Sequence, residues 1–350
     1  MPADVSEGLY AKKPAWHRFG DVHAEGFFNA ERAILSLDPS GEGVIKGFVT
    51  ITFTDSKGNE HKLEVPQKTG MVDWDSANDS WRFLSIMDKD YGLVQLVEQF
   101  LFMDTVIGMV DGAHYDAAVR LRGGKQTVLS AYLGDYVLDP NGVADRGKRF
   151  LWGFNSLDGS WALRLKKGDF RVECANMAAM ALRGSSDQNS IGTDWSTRHT
   201  QNVLSRVEEA KTVLQMWRRH DTLFQAQAEH MLFTPIADGA VDRIVTSLYT
   251  DVNPKTGLSE ADREAIDAVR TNYDIGKNVK QITGTVWGAL NAATEYEDWL
   301  TKLKTTKTAS MAERRLVRQL EDPDGRKQRA WNAFWDYAEE NRKFVAPDLA

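Results

Sequence analysis

A single cysteine, Cys174, among 350 residues leaves nothing for it to pair with inside the chain. An internal disulfide framework and a cysteine-rich zinc module are therefore excluded, and a reducing compartment fits. The chain has 9 prolines and no apolar run near the roughly 20 residues that span a bilayer. Its opening, MPADVSEGLYAKKPAW, lacks the apolar stretch of a signal peptide. The expectation is a protein of the cytoplasm with no membrane partner. Positive charge is also in short supply. With 43 Lys+Arg against 50 Asp+Glu, the formal net charge is -7, which argues against whole-surface attraction to nucleic acid or anionic lipid.

Catalytic patterns are equally scarce. Neither a Gly-X-Ser-X-Gly elbow nor a Gly-Lys-Ser/Thr phosphate loop occurs. The seven histidines, at 17, 23, 61, 114, 199, 220 and 230, form no His-Glu-X-X-His pattern. No metal, no other cofactor and no catalytic residue is expected. Cys174 and His199 read as core filler and bystander rather than thiol and base. Glu295-Tyr-Glu-Asp298 reads as the solvated acidic face of a helix rather than a nuclease carboxylate pair.

What is present is a globular composition, 42% hydrophobic and 27% charged, with enough apolar area to offset chain entropy. Ile45, Val49, Ile51 and Phe53 alternate along 44–53, Asp55-Ser-Lys-Gly-Asn59 supplies a turn, and 61–65 returns as the second strand of a hairpin. A second strand pair is expected at 70–74 and 81–87, then a helix over 91–103 capped by Asp88 or Asp90. The clearest hairpin joins 115–122 to 125–133 through Gly123-Gly124. After a polar loop at 139–149, strands are expected at 150–155, 161–165 and 169–173, a helix at 176–182, and a Ser/Gly/Asn/Asp-rich loop at 183–196. Helical spacing then takes over at 197–227, 240–249, 259–272, 283–304, 310–320 and 326–342, with Ser259 and Asp262 the best cap signal. The expected class is α+β: antiparallel β-hairpins with packed helices in the N-terminal two-thirds and an α-helical C-terminal region, divided as 1–230 and 231–350.

Charge is unevenly spread along this plan. Residues 111–220 hold 16 Lys+Arg against 12 Asp+Glu, whereas the rest of the chain holds 27 against 38. The basic stretch also carries Tyr132, Trp152, Phe154, Trp161 and Phe170. Aromatics interleaved with cations on a sheet can stack bases while the charges track phosphates; the same aromatics can equally fill a core, and the sequence leaves both readings open. The tip Arg122-Gly-Gly-Lys125 sits between strands, with no helix N-terminus to aim amides at an anion.

Six segments carry a family resemblance: Pro14-Ala-Trp-His-Arg-Phe-Gly20, Tyr91-Gly-Leu-Val-Gln95, Phe154-Asn-Ser-Leu-Asp-Gly-Ser160, Arg171-Val-Glu-Cys-Ala-Asn176, Arg198-His-Thr-Gln-Asn202 and Asn291-Ala-Ala-Thr-Glu-Tyr296. In that order, over about residues 9 to 300, they resemble the phage/plasmid-like family of unknown function DUF932. The chain departs from the family in Pro-Ala-Trp-His, where Pro-Trp-His is usual, and in a longer loop at 184–196. The resemblance implies a gene carried by a phage, prophage or plasmid, acting inside a bacterial host. The order of elements over 91–182 is more distantly similar to phage single-strand annealing proteins, which implies a basic groove on a curved sheet, single-stranded DNA as partner, and an oligomeric ring or filament.

On that expectation Arg120, Arg122, Lys125, Arg149, Arg164, Lys166, Lys167, Arg171 and Arg198 would meet phosphates, and Tyr132, Trp152 and Trp161 would stack bases. Arg120/Arg122 and Arg164/Lys166 recur at the two-residue period of a strand face. Eleven tryptophans, with Trp331 and Trp335 on the last helix, suggest a homo-oligomer that hides them. The alternative is an accessory protein that acts through protein contacts on a host factor, using its helical C-terminal region.

Overall fold

The computed structural model describes residues 7–11, 21–22, 28–76, 78–139, 141–171, 194–199, 207–250, 257–303 and 325–342. Among the described residues ten strands form two sheets. β1 (Glu7–Tyr10), β2 (Asp21–Val22), β6 (His114–Leu121), β7 (Gln126–Leu138), β8 (Asp145–Ser156), β9 (Leu163–Arg171) and β10 (Asp194–Thr197) make a seven-stranded sheet in the order β10-β9-β8-β7-β6-β1-β2. Only the short β1–β2 pair is parallel. β3 (Ile45–Thr54), β4 (Glu60–Asp75) and β5 (Ser80–Asp88) form a separate antiparallel sheet.

The α+β class, with strands mainly in the N-terminal two-thirds and helices gathered at the C-terminal end, is the observed architecture. Several elements are longer or later than local pattern suggests. β4 is one 16-residue strand that serves both neighbours, so the two expected hairpins share a strand. Pro66 falls where its pairing with β3 is interrupted, between Glu64 and Thr69, a place where a missing N–H costs no ladder bond. The polar stretch 145–149 extends β8, and 163–171 is a single strand rather than two. The helix expected at 91 begins at Leu96, because Gln95 rather than an aspartate caps it: Gln95 N donates to the Glu98 carboxylate at 2.7 Å. Residues 194–197, expected in a loop, are an edge strand. The helices expected at 176–182 and 310–320 lie outside the described residues, as do His17, His23 and Cys174.

α1 (Ala30–Leu37), α2 (Leu96–Ile107) and α3 (Val207–Phe233) cover one face of the large sheet, around Leu9, Ala118, Leu129, Leu151 and Leu165. α2 is also tied by polar groups, since buried Gln99 donates to the Gly153 carbonyl at 3.1 Å and accepts from Thr127. α4 (Asp238–Thr250), α5 (Glu260–Ile275), α6 (Val286–Glu295), a π-turn at Tyr296–Leu300, and α7 (Arg326–Glu340) build a second core around Phe224, Trp287, Trp331 and Phe334. Residue 230 lies inside α3, which runs without a break from the sheet to this helical layer. The far end of β7 enters the helical core through Tyr136 and Leu138, and Trp287 Nε1 donates to Asp145 of β8 at 2.8 Å. Tyr136 lies across Gly147 on the neighbouring strand, and a Cβ there would fall 1.9 Å from its ring.

Trp331 packs inside this core, with Trp335 partly buried against it. The last helix therefore exposes no aromatic stripe, and the ground offered for an oligomer there is removed. An amphipathic helix near the end of a chain has neighbours that periodicity cannot see.

Candidate functional site

The register divides the large sheet into two faces. Arg120 pairs with Glu7 and Thr127, and Thr127 with Asn155, on the side of the three helices. Arg164 pairs with Phe154, and Lys166 with Trp152, on the other side. The basic residues expected in one groove thus stand on opposite faces. Arg120 and Arg122 do not share a face either, because β6 ends at Leu121 and Arg122 turns into the left-handed region at φ 53°.

Arg120 is buried where the two sheets meet. It pairs with Asp73 of β4, lies 3.8 Å from Glu7, and donates to the Leu37 and Gly124 carbonyls at 3.1 and 2.9 Å. Arg82 of β5 completes the cluster with two 2.9 Å bonds to Asp73. Burial alone would weaken the hold of Arg82 on its proton, but the Asp73 hydrogen bonds and the Glu7 and Asp73 charges outweigh it and raise the pKa. These four residues fasten the small sheet to the large one. Arg120 was expected on a phosphate and is a structural ion instead.

Lys166 and Lys167 are each 1% exposed. Lys167 pairs with Asp221 of α3, whose carboxylate also lies 3.5 Å from Arg149, and Arg149 sits over the Tyr136 ring. Trp152, proposed as a stacking platform, is 1% exposed and belongs to a core with Tyr10, Val119, Val128, Phe150 and Phe154. No described helix contributes to that core. Tyr132 and Trp161 are half-buried at its margin. Arg122 and Arg198 are exposed, Lys125 and Arg164 are half-buried, and the Arg171 side chain lies outside what is described.

Three of the six familiar segments converge at one end of the large sheet. The Tyr91 ring stacks on His199 at 5.2 Å. Asn155 donates to the Val94 carbonyl at 3.0 Å, Ser156 bonds the backbone of Trp161 in both directions at 2.9 Å, and Gln126 donates to Ser160 at 2.9 Å. Burial and the charge of Asp158 push the Tyr91 hydroxyl up to about 12, and burial lowers the His199 pKa. Lys46 of β3 donates to the Tyr91 carbonyl at 2.7 Å, so the small sheet is anchored here too.

The acidic segment at 295–298 is buried rather than solvated. The π-turn directs three successive acids to different partners: Glu295 to Asn272 and Asn278, Glu297 to Tyr249 at 2.8 Å, and Asp298 to Lys327 at 2.5 Å. With α-helical spacing only Glu295 and Asp298 would have shared a face. Among the described residues no three His, Cys, Asp or Glu side chains come together as a metal site. No described helix is long and apolar enough to cross a membrane.

The feature that sequence reasoning passed over is the outer face of the small sheet. Its inner face carries Met71 and Leu84 into a minor core with Val44 and Leu157. On the outer face Ile51 pairs with Leu63, Phe53 with His61, Ile45 with Val72, and Val72 with Phe83. Ile86 stands beside Gly70, and Trp81 meets Trp74 edge-on at 5.4 Å. Ile45, Ile51, Phe53, Leu63, Trp81, Phe83 and Ile86 are between 39% and 58% exposed. The alternation that predicts the hairpin was the available signal. It names a hydrophobic face without saying whether anything covers it.

The fold is an α+β protein in which one sheet is enclosed and a smaller one offers an apolar face that no described element covers. A domain of unknown function, DUF932, matches residues 83–320, and the chain belongs to that family. Pro14–Gly20 and nearly all of the small sheet precede the matched segment. No curated protein and no solved structure matches the chain.

Proposed function

We propose that this protein acts by binding another protein chain through the outer face of β3–β5. One observation carries the reading: seven large apolar side chains stand exposed on one sheet face, whereas soluble monomers scatter such residues singly. The contact surface is thus the small sheet, not the helical region nominated from the sequence. Replacing Phe83 with the photo-crosslinking residue benzoylphenylalanine in producing cells should give covalent adducts of higher mass on illumination. The same residue at Thr52, whose side chain points to the opposite face, should give none. Absence of adducts from position 83 would reject the reading.

Single-stranded DNA binding and annealing, as part of phage- or plasmid-borne recombination in a bacterial host, is the second reading. It is favoured by Arg122 and Lys125 at the β6–β7 tip, and by His114 stacked on Tyr132 at 4.8 Å with Lys148 5.7 Å over the Tyr132 ring. Loss of Arg122 and Lys125 should lower the salt slope by roughly 0.7 per contact on single strands. No gel shift at about 50 mM salt would reject it.

A further inference from the structure

We infer that the chain occupying the outer face of β3–β5 is a second copy of this protein, related by a two-fold axis; the inference rests on the protein-contact reading above. Size comes first. At roughly 200 Å² per large side chain, the seven exposed fractions amount to about 700 Å². That exceeds the few hundred Å² typical of a monomer's patches and approaches the roughly 800 Å² that each partner contributes to a standard stable interface.

Charge comes second. Copies of a chain with net charge -7 repel one another unless they meet on neutral ground. By register this face carries His61, which lies 2.9 Å from Asp55 at the turn, and at its other end the Lys68–Asp88 pair, closed at 2.6 Å so that its two charges cancel. A foreign partner is ordinarily steered and selected by complementary charge, and this face presents no such pattern. A two-fold axis needs none, because it sets the same patch against itself.

Shape comes third. Gly47 and Gly70 are paired neighbours at the middle of the face, and a Cβ added at Gly47 would meet nothing within 4 Å. They leave a hollow beside Ile45 and Ile86, while Phe53 and Phe83 project to either side. Two such faces stacked about 10 Å apart would set the projecting ring of one copy into the hollow of the other, as the inner faces of a sandwich interdigitate.

Sedimentation of the purified full-length chain tests this directly. At micromolar concentration it should run at twice the 39.3 kDa chain mass. Leu63→Asp should raise the dissociation constant roughly thirtyfold or more. Its far-UV spectrum and dilute-solution melting should stay those of the wild type, because Leu63 belongs to no core. Thr52→Asp, on the opposite face, should leave the dimer intact. A wild-type monomer, or a dimer that Leu63→Asp does not weaken, would overturn the second copy. The mass of the Phe83 adduct separates the two proposals. Twice the chain mass supports both, any other mass keeps the protein-contact reading and rejects self-association, and no adduct rejects both.

Discussion

The two sheets invert one another. In the seven-stranded sheet, charged side chains such as Arg120, Lys166 and Lys167 are inside, while in the three-stranded sheet Ile51, Leu63 and Phe83 are outside. Both are antiparallel in the main, and both are read from alternating sequence. The difference lies in what the rest of the chain stacks on them. The large sheet has three helices on one face and a packed aromatic layer on the other. The small sheet has the body of the protein against its inner face only near Met71 and Leu84, the distal half of the β3–β4 hairpin standing clear on both sides, and no described element covers its outer face. A strand's alternation therefore defines two faces, and distant elements decide which of them meets water.

The contrast breaks most visibly at Trp152. If this residue is core, Trp152→Ala should cost about 3–5 kcal/mol, read from the urea midpoint. A base-stacking residue at the surface would lose less than about 0.5 kcal/mol, and that result would return Trp152 to a binding role.

Arg120→Met should cost about 3 kcal/mol, since it leaves Asp73 and Glu7 with Arg82 alone and strips a donor from two carbonyls. A variant as stable as wild type would show that the junction of the sheets does not depend on this ion cluster.

Acid should act on the enclosed sheet through His114 and His199. Burial lowers both pKa values, so below about 6.5 the unfolded chain binds more protons than the folded one. Their contribution is complete above that pH and is lost as pH falls toward the depressed folded values. Melting temperature should drop between pH 7 and pH 5, and His199→Phe, which keeps a ring against Tyr91, should flatten the decline. An unchanged pH profile in that variant would place His199 in solvent.

The smallest effect belongs to the open face. At concentrations too low for association, Leu63→Thr should stay within about 0.5 kcal/mol of wild type. A loss of several kcal/mol would mean that the face is already packed within one chain.

Much of the fold is legible in short segments. Gly123 and Gly124, at φ 64° and 81°, form the turn their positions suggest, and Ser259 with Asp262 caps α5 through reciprocal bonds at 3.1 Å. The extent of β4 was hidden because Pro66 reads as a strand breaker where the structure places an irregularity in pairing. The acids at 295–298 were misjudged because a π-turn changes which residues share a face. The outer apolar face was written plainly in Ile45, Val49, Ile51 and Phe53, yet exposure is a property of the neighbours and not of the strand.

By itself the sequence determined the α+β class and most hairpins and helices from residue 44 onward, since periodicity, caps and turn residues act over a few positions, and six segments carried the family; it gave no sign of β1, β2, α1 or β10. Tertiary structure alone decided the fate of each face. Arg120 is enclosed because residues as far away as Glu7, Leu37 and Asp73 converge on it, while Leu63 stays open because no described element reaches it. Free energy of burial depends on area removed from water, and only the assembled chain sets that area.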